Sequence, residues 1–211
     1  MLKVLREGVH VRNSHDDYTL FEPICSSTIL IQSEGRNILV DPGHLAKAAE
    51  LKDLLAKEYL SAEDIHMVFI THHHLDHSSN MGAFPKAKIF IGDGFITHDR
   101  PEYLVFKNPN LVHAPQLGLP SNVKLLPTPG HTVESTSFVY EENGTRFLCA
   151  GDSVREDVIR EGANTVMYSR EKYFESLRKI FELADVIIPG HGRVIEGENL
   201  RELRGMVACL A

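Results

Sequence analysis

The chain has 211 residues, 43% hydrophobic and 24% charged, the composition of one folded, mid-sized domain spanning residues 1–211 with an ample core. Its 15 Gly and 10 Pro are spread without a period, and no uncharged apolar run approaches the ~20 residues that cross a bilayer, which excludes disorder, collagen and a membrane-spanning helix. The 29 acidic residues outnumber the 22 basic ones, giving −7 at pH 7, the wrong sign for a broad nucleic-acid-binding face.

Residues 1–10 carry Lys3, Arg6 and Glu7 among their apolar side chains, so the apolar core of a secretory signal is missing and a cytoplasmic protein is expected. Cys25, Cys149 and Cys209 are far apart and form no Cys-x-x-Cys pair, which fits three reduced thiols used for packing. Residues 2–6, 27–32 and 37–40 read as strands, with Gly35 turning the chain before the third. In residues 44–59, Leu45, Ala48, Leu51, Leu54 and Leu55 form an apolar stripe at helical spacing. Strands follow at 67–70, 88–91, 123–126, 137–140 and 146–150, and Asn143-Gly144 predicts a hairpin between the last two. Ser169 is placed to cap a helix over 172–183, and 186–188 reads as a short buried strand. Residues 92–121, rich in Pro, Gly and His, read as a long irregular segment over a site.

One internal echo bears on function. The strands ending at Asp41 and Asp152 are each followed by a helix-containing crossover, and the next strands end at His72 and His191. Two similar halves are expected, with Asp and His delivered at the carboxyl ends of strands, where open sheets place ligand sites.

The chain holds twelve histidines, and neutral imidazole is the commonest metal ligand. The densest cluster is Thr71-His72-His73-His74-Leu75-Asp76-His77, directly after an apolar strand. In an extended chain alternate side chains share a side, so His72, His74 and Asp76 point together while His73 and Leu75 point away. A helical zinc motif through His73 and His77 is rejected, because His74 stands where that motif needs Glu. His131, Asp152 and His191 each follow a glycine, which lets the backbone turn sharply and approach a bound ion.

Taken together these residues resemble the metallo-β-lactamase superfamily, whose five motifs occur here in order. By that resemblance His72, His74 and His131 hold one metal, Asp76, His77 and His191 the second, and Asp152 bridges them. Asp41, in Val40-Asp41-Pro42-Gly43, matches a carboxylate that orients the site without binding metal. The strings around Asn80 and Phe84 and residues 183–192 are similar to the compact branch that contains metallo-β-lactamase domain-containing protein 1. The implied fold is a four-layered αβ/βα sandwich, two mixed β-sheets with flanking helices. Class B β-lactamases do not use an Asp bridge at the Asp152 position, so antibiotic hydrolysis is not expected. Acyl-homoserine lactonases place a Tyr shortly after the bridging Asp, where this chain has Ser153-Val154-Arg155.

The implied chemistry is hydrolysis of an ester, thioester, lactone or phosphodiester bond by a metal-bridging hydroxide, with Asp76 and Asp152 as catalytic carboxylates. Two divalent ions are implied, zinc first, with Fe2+ or Mn2+ accepting the same donors. Alternatives within the superfamily are a mononuclear iron sulfur dioxygenase and a ribonuclease-type phosphodiesterase. A small-molecule or nucleotide-type substrate is the expected partner, no membrane partner is expected, and the oligomeric state is open, a homo-oligomer included. His15, Asp16, Asp17, His98, Arg100, Tyr103, His113 and Tyr168 are candidates to shape the substrate pocket, while His10, His44 and His66 read as structural.

Overall fold

The structure, a computed structural model, describes residues 1–92, 94–97, 103–105, 118–162 and 167–210. In chain order the strands are β1 (Leu2–Arg6), β2 (Val9–Ser14), β3 (Thr19–Cys25), β4 (Thr28–Ser33), β5 (Arg36–Val40), β6 (Met67–Ile70), β7 (Lys88–Ile91), β8 (Gly94–Thr97), β9 (Tyr103–Val105), β10 (Val123–Pro127), β11 (Thr136–Glu142), β12 (Thr145–Gly151) and β13 (Val186–Pro189). The helices are α1 (Ala48–Lys57), α2 (Leu75–Ser78), α3 (Glu156–Glu161), α4 (Arg170–Leu183) and α5 (Gly197–Ala208). One seven-stranded sheet runs β1-β4-β5-β6-β7-β8-β9, a four-stranded sheet runs β10-β11-β12-β13, and β2-β3 is a separate hairpin.

The period of two along each strand sorts its apolar residues between layers. Ile29, Ile31, Ile38, Val40, Met67 and Phe69 turn inward to meet Val123, Phe138, Tyr140, Cys149 and Ile188 of the other sheet. Phe69 stacks on Phe138 across that interface with ring centroids 4.3 Å apart. Their neighbours Leu30, Leu39, Val68 and Ile70 turn outward onto Leu51 and Leu55 of α1. On the second sheet, Val139, Leu148, Ala150 and Ile187 turn outward onto α3, α4 and α5. The result is the expected αβ/βα sandwich, with helix, sheet, sheet and helix in layers.

Two parallel pairs position the site. β5 pairs with β6 and β12 pairs with β13, each pair linked through helices, as the echo between the halves predicts. Asp41 and Thr71 therefore lie beside each other at one pair of carboxyl ends, and Asp152 and Gly190 at the other.

Several elements differ from the sequence expectation. The hairpin β2-β3 occupies residues left without an element, and the segment 92–121 contains β8 and β9. The expected helix over 44–59 divides into a 3-10 turn, Leu45–Lys47, and α1. α5 packs Leu200, Leu203 and Val207 into the core beyond the last expected strand. Cys25 and Cys149 are buried as expected, but Cys209 is exposed. Among the described residues no helix is long and apolar enough to cross a membrane.

Candidate metal centre

Seven side chains from the loops after β6, β10, β12 and β13 converge as two sets. In the first, His74 Nδ1 lies 2.9 Å from His72 Nε2 and 3.0 Å from His131 Nε2, and Asp152 Oδ2 lies 3.6 Å from His131 Nε2. In the second, Asp76 Oδ2 lies 3.4 Å from His77 Nε2 and 3.2 Å from His191 Nε2. Asp152 Oδ1 is 3.4 Å from both of those nitrogens. Each oxygen of Asp152 thus faces one set.

These spacings fit a cation better than protons. Ligand atoms ~2.0–2.1 Å from a tetrahedral zinc stand about 3.3 Å apart, which is the range seen here. Nδ1 of His74 can exchange one proton with one neighbour, yet two nitrogens crowd it at hydrogen-bond distance. Asp76 Oδ2, His77 Nε2 and Asp152 Oδ1 are buried with no hydrogen-bond partner among the described residues, a cost of about 1–3 kcal/mol each if nothing were to bind them.

The opposite ring nitrogens fix the tautomers. His77 Nδ1 donates to Asp41 Oδ2 at 2.8 Å, and His191 Nδ1 donates to the Val9 carbonyl at 3.1 Å. Thr71 Oγ1 donates to Asp41 Oδ2 at 2.7 Å and so accepts from His72 Nδ1 at 3.1 Å. In their neutral forms all three rings consequently present a bare Nε2 to the site, the arrangement that metal-binding histidines need. Asp41, buried and held at φ 46°, also accepts from the Thr71 amide at 2.8 Å.

Close backbone approach explains two of the glycines. A Cβ on Gly190 would sit 2.3 Å from Asp152 Oδ1 and 2.8 Å from His77 Cε1, and one on Gly151, at φ 51°, would sit 2.4 Å from Thr71 Oγ1. The loop carrying His131 is pinned by the start of α4: Tyr168 N donates to the His131 carbonyl, Ser169 N to that of Gly130, and Ser176 Oγ to that of Pro129.

A family model described as the metallo-beta-lactamase superfamily matches residues 24–191. The chain belongs to that superfamily. Metallo-beta-lactamase domain-containing protein 1 of Mus musculus is 32% identical over 176 residues, covering 79% of this chain and 64% of the relative, so the chain spans just under two thirds of that protein. A protein named probable metallo-hydrolase from Methanocaldococcus jannaschii is 26% identical over 205 residues, 95% of this chain and 91% of that one. A dizinc quorum-quenching lactonase, solved with a product, superposes with a TM-score of 0.60 at 20% identity over 82% of this chain and 73% of that one, a likeness of fold.

Electrostatics of the site follow from burial and charge. Burial pushes the Asp152 carboxyl up, but His191 and His77 outweigh it and hold it well below the usual carboxylate range. Burial opposes the charged form of His77 too, yet Asp41 and Asp152 raise it well above an ordinary imidazole. Burial and then the neighbouring His77 push His72 well down. For Asp76 burial works upward, and the neighbouring His191 and then His77 overcome it to give a net lowering.

Beside the seven side chains lies a cavity of about 270 Å³, lined on one side by His10, Arg12, Thr19, Phe21 and Ile24 of β2-β3 and on another by Arg155 and Asp157. His10, read from the sequence as structural, stands in the cavity wall, its ring tilted against His191 at 5.0 Å and against Phe21 at 4.5 Å between centroids. His44 and His66 do serve structure, accepting from the Ala46 and Asn37 amides. Of the pocket candidates, His98, Arg100 and His113 lie outside the described residues, and the lining omits His15, Asp16, Asp17, Tyr103 and Tyr168. His15 stacks on Tyr18 instead, and Tyr103 and Tyr168 are exposed. His73 and Leu75 point away as expected, His73 pairing with Glu134 at 2.9 Å. Asp76 does not follow His72 and His74 by extended alternation: the chain turns into α2 after His74, which swings Asp76 and His77 into the second set.

Proposed function

We propose that this chain is a binuclear metal-dependent hydrolase acting on an ester, thioester, lactone or phosphodiester bond of a small-molecule or nucleotide-type substrate. The observation that carries this reading is Asp152, whose two oxygens face two separate sets of imidazole donors. His72, His74 and His131 would hold one ion, Asp76, His77 and His191 the other, and Asp152 both. Two divalent ions bound there would lower the pKa of a shared water toward about 7 and polarise the scissile carbonyl or phosphoryl group.

The chain's own residues supply the rest. Asp76 and Asp152 both line the cavity and are its carboxylates at the ligand cluster, so they accept hydrogen bonds from the attacking water and orient it. Asp41 keeps the proton of His77 on Nδ1, and Thr71 does the same for His72. The hairpin β2-β3 closes one side of the cavity with Phe21 and Ile24 and limits bulk water there. Zinc is the proposed ion, since imidazole and carboxylate suit it and the dizinc lactonase of like fold holds it.

The test combines elemental analysis with turnover. Two metals per chain and metal-dependent, thiol-independent cleavage of ester, thioester, lactone or phosphodiester reporters are expected. One iron per chain with sulfide-dependent oxygen uptake would overturn the reading.

A further inference from the structure

Arg155 follows Asp152 by three residues, and the hydrolase reading gives it no task. It is 6% exposed, yet it lines the cavity. Asp157 grips it as a fork, Nε to Oδ1 at 3.0 Å and Nη2 to Oδ2 at 2.7 Å, so the guanidinium plane is fixed before any ligand arrives. Nη2 also reaches His10 Nδ1 at 3.3 Å. Because Arg only donates, His10 must accept through Nδ1 and carry its own proton on Nε2.

That accounting leaves donors over. Among the described residues the two protons of Arg155 Nη1 make no hydrogen bond; Asp152 Oδ2 is 3.8 Å away, too far for one. The Nε2 proton of His10 also has no hydrogen-bond acceptor among the described residues. Two side chains in contact, both lining one cavity, thus keep up to three N–H donors unused beside the ligand cluster. A group with several acceptor oxygens in one plane or tetrahedron engages such a set best, because it meets several donors at once and its charge answers that of the guanidinium.

The geometry points to an anion subsite in this cavity, formed by Arg155 and His10, that receives a carboxylate or phosphate group of the substrate away from the scissile bond. Its place as a specificity determinant rests on the hydrolase reading, but the binding itself does not. Arg155 Nη1 and His10 Nε2 donate to the anion, and Asp157 holds the guanidinium in place.

The experiment titrates benzoate and phenyl phosphate, with benzamide as the uncharged control, into the 211-residue chain in metal-free and zinc-loaded form. Binding is followed by calorimetry and by the Arg155 Nε–H resonance. Arg155→Gln and His10→Phe should each weaken the bound anion at least tenfold in both forms, and Arg155→Lys, which keeps the charge without the fork, should fall between. The tighter of the two anions identifies the substrate group. In turnover, the preference for an ester bearing that group over its neutral analogue should drop by tenfold or more in Arg155→Gln, mainly through KM. Equal anion affinity in wild type and both variants would overturn the subsite while leaving the hydrolase reading standing. Loss of zinc from Arg155→Gln with anion affinity unchanged would also overturn it, making Arg155 a support for Asp152.

Discussion

Asp41→Asn tests whether an acidic residue that touches no metal governs how tightly metal is held. Asp41 Oδ1 accepts from the Thr71 amide at 2.8 Å, and Oδ2 accepts from Thr71 Oγ1 at 2.7 Å and His77 Nδ1 at 2.8 Å. Every partner is a donor. An Asn fills the same volume and tolerates the left-handed backbone, φ 46°, better than other residues, so backbone strain does not confound the change. Its NH2 nevertheless faces a donor in either orientation. Placed at Oδ1, it strands the buried Thr71 N–H, at a cost of about 1–3 kcal/mol in stability. Placed at Oδ2, it obliges His77 to accept through Nδ1 and carry its proton on Nε2, the atom that faces Asp76 and Asp152. The expected result is a 10–100-fold loss of affinity for the ion held by Asp76, His77 and His191, about 1.4–2.8 kcal/mol, with a smaller loss at the other. Competition against a chromophoric zinc chelator reads both steps, and melting of the metal-free protein reads the stability cost. If both ions bind within threefold of wild type and the melt is unchanged, the Asp41–His77 contact does not set the tautomer.

Asp152→Ala removes the one carboxylate common to both sets, and turnover should fall more than about 100-fold, beyond the usual cost of losing an outer-shell partner, with fewer than two metals per chain by elemental analysis; full rate with two ions retained would contradict the assignment. Gly190→Ala drives a methyl against Asp152 Oδ1 and should cost about 1–3 kcal/mol and lower metal content, whereas Gly205→Ala in α5, where a Cβ meets nothing within 4 Å, should raise stability by up to about 1 kcal/mol; thermal melts that rank the two alike refute the close-approach reading. His77 is held protonated well above 6.5, burial opposing and Asp41 prevailing, so metal entry displaces its proton and affinity should rise with pH through the neutral range. The same raised value stabilises the metal-free fold fully below pH 6.5 and ceases to as pH climbs through it; buffer-independent heats of metal binding would count against the first statement, and a metal-free melt that does not move with pH against the second.

The sheets were legible because their inner strands alternate between two apolar layers, and a strand such as Val68-Phe69-Ile70 needs no distant partner to declare itself. The hairpin β2-β3 escaped notice for the opposite reason. Its residues are largely exposed or half-buried, as in Val9-His10-Val11-Arg12, and they alternate too weakly to separate from loop. α5 carried a readable signal, Leu200, Leu203 and Val207 at i, i+3 and i+7, but two glycines, Gly197 and Gly205, dilute its helical propensity. β8 and β9 lie among the Pro, Gly and His residues of 92–121, where punctuation outweighs period.

The ligand cluster was legible by a different route, since metal binding demands His and Asp at short spacings and those are properties of sequence. What spacing could not show is the division of labour. His72, His74, Asp76 and His77 lie within six residues, and extended geometry puts the first three together; the helical turn of α2 sends Asp76 and His77 to the other set. Asp152 can face both sets only because β12 and β13 run parallel in one sheet while β5 and β6 run parallel in the other, bringing the carboxyl ends of both pairs to one edge of the sandwich. Arg155 and His10 had no signal at all, being single residues 145 positions apart that meet where the hairpin reaches the loop after β12. The residues of the ligand cluster are therefore written in local motifs, and the proposed anion subsite is written in a contact between elements with weak patterns of their own.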